Sequence, residues 1–106
     1  MTDLELGSYL NIQQSLLAET FGALSTVRRL KIMAVLLDSD KPVASSMIAA
    51  VTGLSEASTS YNLTALKKAG LVTPIPSGRW VLYTVNQETV EKVSQFFGTR
   101  NEIVSP

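Results

Sequence analysis

The sequence predicts a mainly α fold with one small β-hairpin: four helices, the hairpin, then a last helix. Three observations carry this. Apolar residues recur at the three-and-four spacing of amphipathic helices over most of the chain. Residues 54–70 are bracketed by Ser55 and Gly70, residue types that cap a helix at its start and at its end. Two runs rich in β-branched and aromatic residues, 71–75 and 80–85, flank Pro76-Ser-Gly-Arg79, which suits a hairpin turn.

Residues 8–24 carry apolar side chains in two stripes, Tyr9, Ile12, Leu16 and Ala23 on one, Leu10, Leu17, Phe21 and Leu24 on the other. A helix with two apolar stripes packs against its own domain and a second subunit, or else lies deep in a single core. Ser25 or Thr26 then caps a helix over 27–37, with Leu30, Ile32, Met33, Leu36 and Leu37 apolar and Arg28, Arg29 and Lys31 near its start. Cations at a helix N-terminus oppose the macrodipole and invite a compensating role; a solvated face is the reading for Arg28 and Lys31. The polar turn 38–42 ends at Pro42, which has no amide hydrogen and biases Lys41 away from helix. A short helix over 45–52 follows, with Ile48 and the alanines inward, and Gly53-Leu54 leads into the next helix.

That next helix, 55–69, has two unlike faces. At about 100° per residue, Thr59, Asn62, Leu63 and Leu66 fall on one side and Ala57, Ser60, Tyr61, Thr64 and Lys68 on the other. One face packs; the other, small polar groups with a tyrosine and a lysine, suits a DNA groove. In the hairpin, Gly78 belongs to the turn, and Pro74 and Pro76 cannot donate to a ladder, so their strand should be an edge. Trp80 and Tyr83 fall on opposite hairpin faces, and neither is assigned to DNA. The last helix covers 87–98, with Val90, Val93, Phe96 and Phe97 apolar and Glu88, Glu91 and Lys92 outside. Its phenylalanines need burial against the first helix, within one subunit or across two. Residues 100–106 read as frayed.

At 106 residues and 45% hydrophobic, the chain suits one compact domain, 1–106, small enough that a second subunit would add to its core. Nine bases balance nine acids, but unevenly: residues 1–24 hold three acids and no base, whereas 25–85 hold seven bases against three acids. Positive charge therefore gathers around the 55–69 helix. The absence of cysteine and histidine excludes disulfides, thiolate switching, imidazole metal sites and a histidine proton shuttle. No cofactor is expected. The opening residues lack the basic region and apolar core of a signal peptide, and no apolar run reaches the ~18 residues of a membrane span, so a cytoplasmic location is expected.

A helix, a glycine-containing turn and a helix, then a hairpin, is the winged helix-turn-helix order. Here the residues resemble the ArsR/SmtB-type transcriptional repressors. Ala23-Leu-Ser-Thr-Val-Arg-Arg-Leu-Lys-Ile-Met33 is similar to their Ala-Leu-x-Asp-Pro-Thr-Arg-Leu-Arg-Ile-Leu segment. Thr52-Gly-Leu-Ser-Glu-Ala-Ser-Thr-Ser-Tyr-Asn-Leu63 is similar to Leu-Gly-Leu-Ser-Gln-Ser-Thr-Val-Ser-His-His-Leu, and Gly78-Arg-Trp-Val-Leu-Tyr83 to the wing. The likeness covers about residues 22–86; the flanking helices agree in position. Two departures matter. The cysteines of the family's best-known metal site fall at Ala44 and Ser46, and its second site uses histidine, which this chain lacks, so the usual metal sensing is excluded. Glu56 stands where the family has glutamine.

The resemblance implies a homodimer, joined through the first and last helices at Tyr9, Ile12, Leu16, Val90, Val93, Phe96 and Phe97, that represses transcription by reading an inverted repeat in double-stranded DNA. The helix 55–69 would enter the major groove. Ser58, Ser60 and Thr64 offer hydroxyls to base edges or phosphates, Tyr61 a phosphate donor, and Ala57 a methyl for thymine. Glu56 either accepts from a cytosine amino group or stabilises the helix start. Lys67 and Lys68 attract phosphates or complement the helix dipole, and Arg79 at the wing tip suits minor-groove insertion. A contrasting reading is a winged helix that binds only proteins, for which zero net charge is support. An enzyme is not expected, because no nucleophile has a visible activator. The inducing signal is left open between a small apolar molecule, a protein and none.

Overall fold

Thr2 and Glu5 cap each other's backbone amides at 3.2 Å, a capping box that starts helix α1 (Asp3–Ala23). The computed structural model describes residues 2–98, so the expected fraying of 100–106 lies outside the described residues. Helix α1 begins five residues before the expected 8–24: the reciprocal cap nucleates it early enough to carry it through Gly7 and Ser8. The remaining elements are α2 (Val27–Leu37), β1 (Val43–Ala44), α3 (Ser45–Thr52), α4 (Glu56–Lys68), β2 (Val72–Ser77), β3 (Trp80–Val85) and α5 (Gln87–Gly98). Among the described residues no helix is long and apolar enough to cross a membrane.

The core forms where the inward faces of α2, α3 and α4 meet the start of the sheet. Ile32, Met33 and Leu36 from α2, Ile48 from α3, Leu63 and Leu66 from α4, and Leu71 and Val72 behind them are buried together. Each large aliphatic side chain so buried contributes about 1.5–3 kcal/mol. The apolar residues recur to suit: Ile32 and Leu36 are one helical turn apart, as are Leu63 and Leu66.

The sheet has one strand more than the hairpin alone. Residues Val43 and Ala44 pair antiparallel with Tyr83 and Leu82, giving the order β1-β3-β2. This pairing ties the entrance of the helix-turn-helix to the hairpin. The first hairpin strand starts at Val72 and runs two residues past the expected 71–75, to Ser77, so that it holds Pro76 as well as Pro74. It is the edge strand that Pro74 and Pro76 require.

Helix α1 is drawn in only toward its C-terminal end, by most of its second stripe and by Ala23 of its first. Ala23 is buried and Leu17, Phe21 and Leu24 are half-buried, while Tyr9, Leu10, Ile12 and Leu16 remain exposed. Phe21 meets α5, its ring edge-on to Phe96 at 6.0 Å and to Phe97 at 5.9 Å. The expected meeting of the last helix with the first thus occurs within one chain. The body is elongated, 53 Å by 26 Å by 24 Å, and α1, about 1.5 Å long per residue, accounts for much of the length.

Candidate nucleic-acid interface

Helix α4 is closed at both ends by its own sequence. Ser55 adopts an extended backbone and its Oγ accepts from the Ser58 amide at 3.0 Å. At the other end Gly70, at φ +76°, lets its amide reach the Lys67 carbonyl and that of Leu71 reach the Leu66 carbonyl, both at 2.9 Å. A left-handed Gly53, at φ +75°, ends α3, and the half-buried Leu54 begins the turn into α4. Helix, tight turn and helix are thereby fixed by two glycines and a serine.

The two faces of α4 fall as the residue spacing requires. Thr59, Asn62, Leu63 and Leu66 are buried. Glu56, Ala57, Ser60, Tyr61, Thr64, Lys67 and Lys68 are exposed, Tyr61 to 71%. Thr64 spends its hydroxyl proton on the Ser60 carbonyl at 3.0 Å, so it presents an acceptor and a methyl rather than a donor. Ser58 sits apart from the other candidates: it is half-buried, and its carbonyl and Oγ both accept from Asn62 Nδ2, at 2.8 and 3.3 Å. Lys67 and Lys68 occupy the last turn, where positive charge favours the helix dipole. Lys68 also stands at the lip of an open groove of about 800 Å³ between α1, the end of α4 and α5, with Leu17 and Phe96 in its wall.

In the wing, Ser77 pairs with Trp80, leaving Gly78 and Arg79 as the two-residue turn. Gly78 at φ +61° is the glycine that a type II′ hairpin turn places first. Arg79 is exposed at the tip, beside the exposed Trp80; Tyr83 packs against the core from the other face. The expected dimer residues divide by depth. Tyr9, Ile12, Leu16 and Phe97 are exposed, and Val90, Val93 and Phe96 are half-buried. No group of three or more acidic side chains is close enough to hold a metal among the described residues.

One polar residue with a clear task was missed. Arg29, half-buried on α2, donates from Nε to Asn62 Oδ1 at 3.1 Å and from Nη1 toward the Ala23 carbonyl at 3.5 Å. The available signal was the inward position of Asn62, because a buried amide side chain demands a partner. Its partner lies 33 residues away in sequence, which spacing alone does not reveal.

Comparison with known proteins follows the same outline. Residues 26–73 match the family model described as bacterial regulatory protein, arsR family. No curated protein matches the chain. The fold is similar to the homodimeric winged helix-turn-helix DNA-binding domain of a possible ArsR-family transcriptional regulator from Mycobacterium bovis, solved in solution, at 26% identity and a TM-score of 0.70 over 96% of this chain and 88% of that one. A crystal structure from the same organism, of a possible transcriptional regulatory protein, is 29% identical with a TM-score of 0.66 over 85% of this chain and 95% of that one. An ArsR-like transcriptional regulator from Rhodococcus sp. RHA1 is 26% identical with a TM-score of 0.71 over 95% of this chain and 84% of that one.

Proposed function

From the arsR-family helix-turn-helix that this chain carries over residues 26–73, on the winged-helix fold of DNA-binding transcriptional regulators rather than enzymes, we infer a homodimeric repressor that reads an inverted repeat. It acts in the cytoplasm as one domain, with the helix-turn-helix over about 44–69 and the wing over about 71–85. The observation that carries this is α4: a helix capped at both ends, with its packing face buried and a face of Ala57, Ser60, Tyr61, Thr64 and two lysines left to solvent.

Helix α4 enters the major groove, where Ser60, Thr64 and the Ala57 methyl meet base edges and Tyr61, Lys67 and Lys68 meet phosphates. Ser58 supports this face through its bonds with Asn62, with its hydroxyl at the margin. Glu56, exposed in the first turn, selects against bases without an amino donor, or stabilises the helix start. Arg79 inserts into the minor groove. One subunit brings few cations, so binding needs two; the dimer forms through the exposed stripe Tyr9, Ile12 and Leu16 of α1 and through Val90, Val93, Phe96 and Phe97 of α5. This leaves no role for a metal at the family's cysteine positions, Ala44 and Ser46.

Selection of bound sequences from random duplex tests the reading. Enrichment of an inverted repeat, with affinity that falls steeply as salt rises, is the expected result. A dimeric protein that enriches no sequence would instead be a protein-binding winged helix, the use that zero net charge favours.

A further inference from the structure

Arg29 occupies a position that its own helix disfavours. It lies in the first turn of α2, where a cation opposes the dipole, and its backbone amide is held by the Thr26 cap at 3.2 Å. Its side chain carries the charge away to two other helices. Nη1 points at the carbonyl of Ala23, the last residue of α1, a helix with no basic residue in its own last turn. Nε donates to Asn62 Oδ1 on the buried face of α4. The amide's other end is committed, since Nδ2 donates to the Ser58 carbonyl and hydroxyl, which fixes Oδ1 toward the guanidinium. Ala23 and Asn62 are 8% and 6% exposed, so the half-buried guanidinium reaches acceptors on buried residues. A planar fork with fixed donor angles constrains both acceptors at once, which a lysine ammonium on a flexible stem cannot.

We propose that Arg29 is a positioning residue for DNA reading: by holding the end of α1 and the inner face of α4 in one guanidinium, it sets the reading helix relative to the helix that joins two subunits, and so fixes the half-site spacing of the operator. The proposal rests on the dimeric DNA-binding reading above. Neighbouring charges do not compete for the fork, because Arg28 and Lys31 are exposed and the only ion pair among the described residues, Lys92 with Glu88 at 3.3 Å, lies on α5. Asn62 and Ser58 then transmit the position to the turn of α4 that carries Ala57 and Ser60.

The test separates position from stability. Removing one partner alone strands a polar group, whereas replacing both with apolar residues of similar shape is close to neutral. The double variant Arg29→Met with Asn62→Leu removes both ends of the Arg29–Asn62 bond and leaves the Ala23 carbonyl short of its long bond, so it should fold with modestly reduced stability. In duplex selection it should enrich several half-site spacings where the wild type enriches one. Its affinity for the wild-type operator should fall about tenfold, the size of a typical coupling between sites, while a single half-site is bound within about twofold of wild type. Arg29→Lys should behave like the double variant. Wild-type spacing and affinity in the double variant would overturn the proposal. A second measurement needs no DNA: residual dipolar couplings should show a changed or averaged orientation of α1 against α4 in the double variant, and an unchanged orientation would overturn it as well. If the wild type enriches nothing, the DNA-reading function fails, and the dipolar couplings still decide whether Arg29 positions α4.

Discussion

Thr89 donates its hydroxyl proton to the Gly70 carbonyl at 2.8 Å, fastening the start of α5 to the glycine that closes α4. Gly70 must stay left-handed at φ +76° for the Lys67 and Leu66 carbonyls to be satisfied, and a Cβ there would meet Thr89 Oγ1 at an ordinary 3.6 Å. The penalty for Gly70→Ala is thus backbone strain rather than a clash, about 1–2 kcal/mol by urea unfolding. Thr89→Val, which leaves the carbonyl without that donor, should lose about 1 kcal/mol.

Thr59 is fully buried on the inner face of α4, and its Oγ1 has no hydrogen-bond partner among the described residues. Thr59→Val keeps the shape and removes a desolvated hydroxyl. It should stabilise the protein by about 1 kcal/mol, seen as a thermal midpoint higher by roughly 4–8 °C. A lower midpoint would mean that the hydroxyl is satisfied in solution.

Arg79 is exposed at a turn whose geometry is set by Gly78. Arg79→Ala should leave stability within about 0.5 kcal/mol of wild type. Operator affinity should drop and the preference for A·T-rich flanks should soften, read by competition with flank-varied duplexes. Equal affinity would remove Arg79 from the site.

Ile12 and Leu16 are 59% and 54% exposed, a helical turn apart on the free stripe of α1. Replacing both with Glu should leave helix content by circular dichroism unchanged and shift sedimentation toward the monomer. Binding to a two-half-site duplex should then be lost. A dimer that persists would place the subunit contact elsewhere.

Much of this was legible because it is local. Ser55, Gly53 and Gly70 bound α4 by local capping chemistry, and the packing face of Thr59, Asn62, Leu63 and Leu66 followed from helical spacing. Ends of α2, α3, β3 and α5 agree with the sequence reading for the same reason. Two misses have opposite causes. The start of α1 was readable, since Thr2 and Glu5 stand three apart as a capping box requires, whereas apolar periodicity shows only from residue 8 on. Strand β1 was not readable: two residues show no period, and Val43 becomes strand only through Tyr83. Arg29 belongs with β1, because its partners are assembled by folding.

Strand β2 holds Pro74 and Pro76 along the outer edge of the sheet. Residues two apart share one side of a strand, and a proline in an edge strand turns its nitrogen outward, so that rim lacks hydrogen-bond donors at alternate positions. A neighbouring chain seeking to add a strand there would find carbonyls without matching amides. The outer rim of the wing is thereby protected against strand addition and the fibres it would seed.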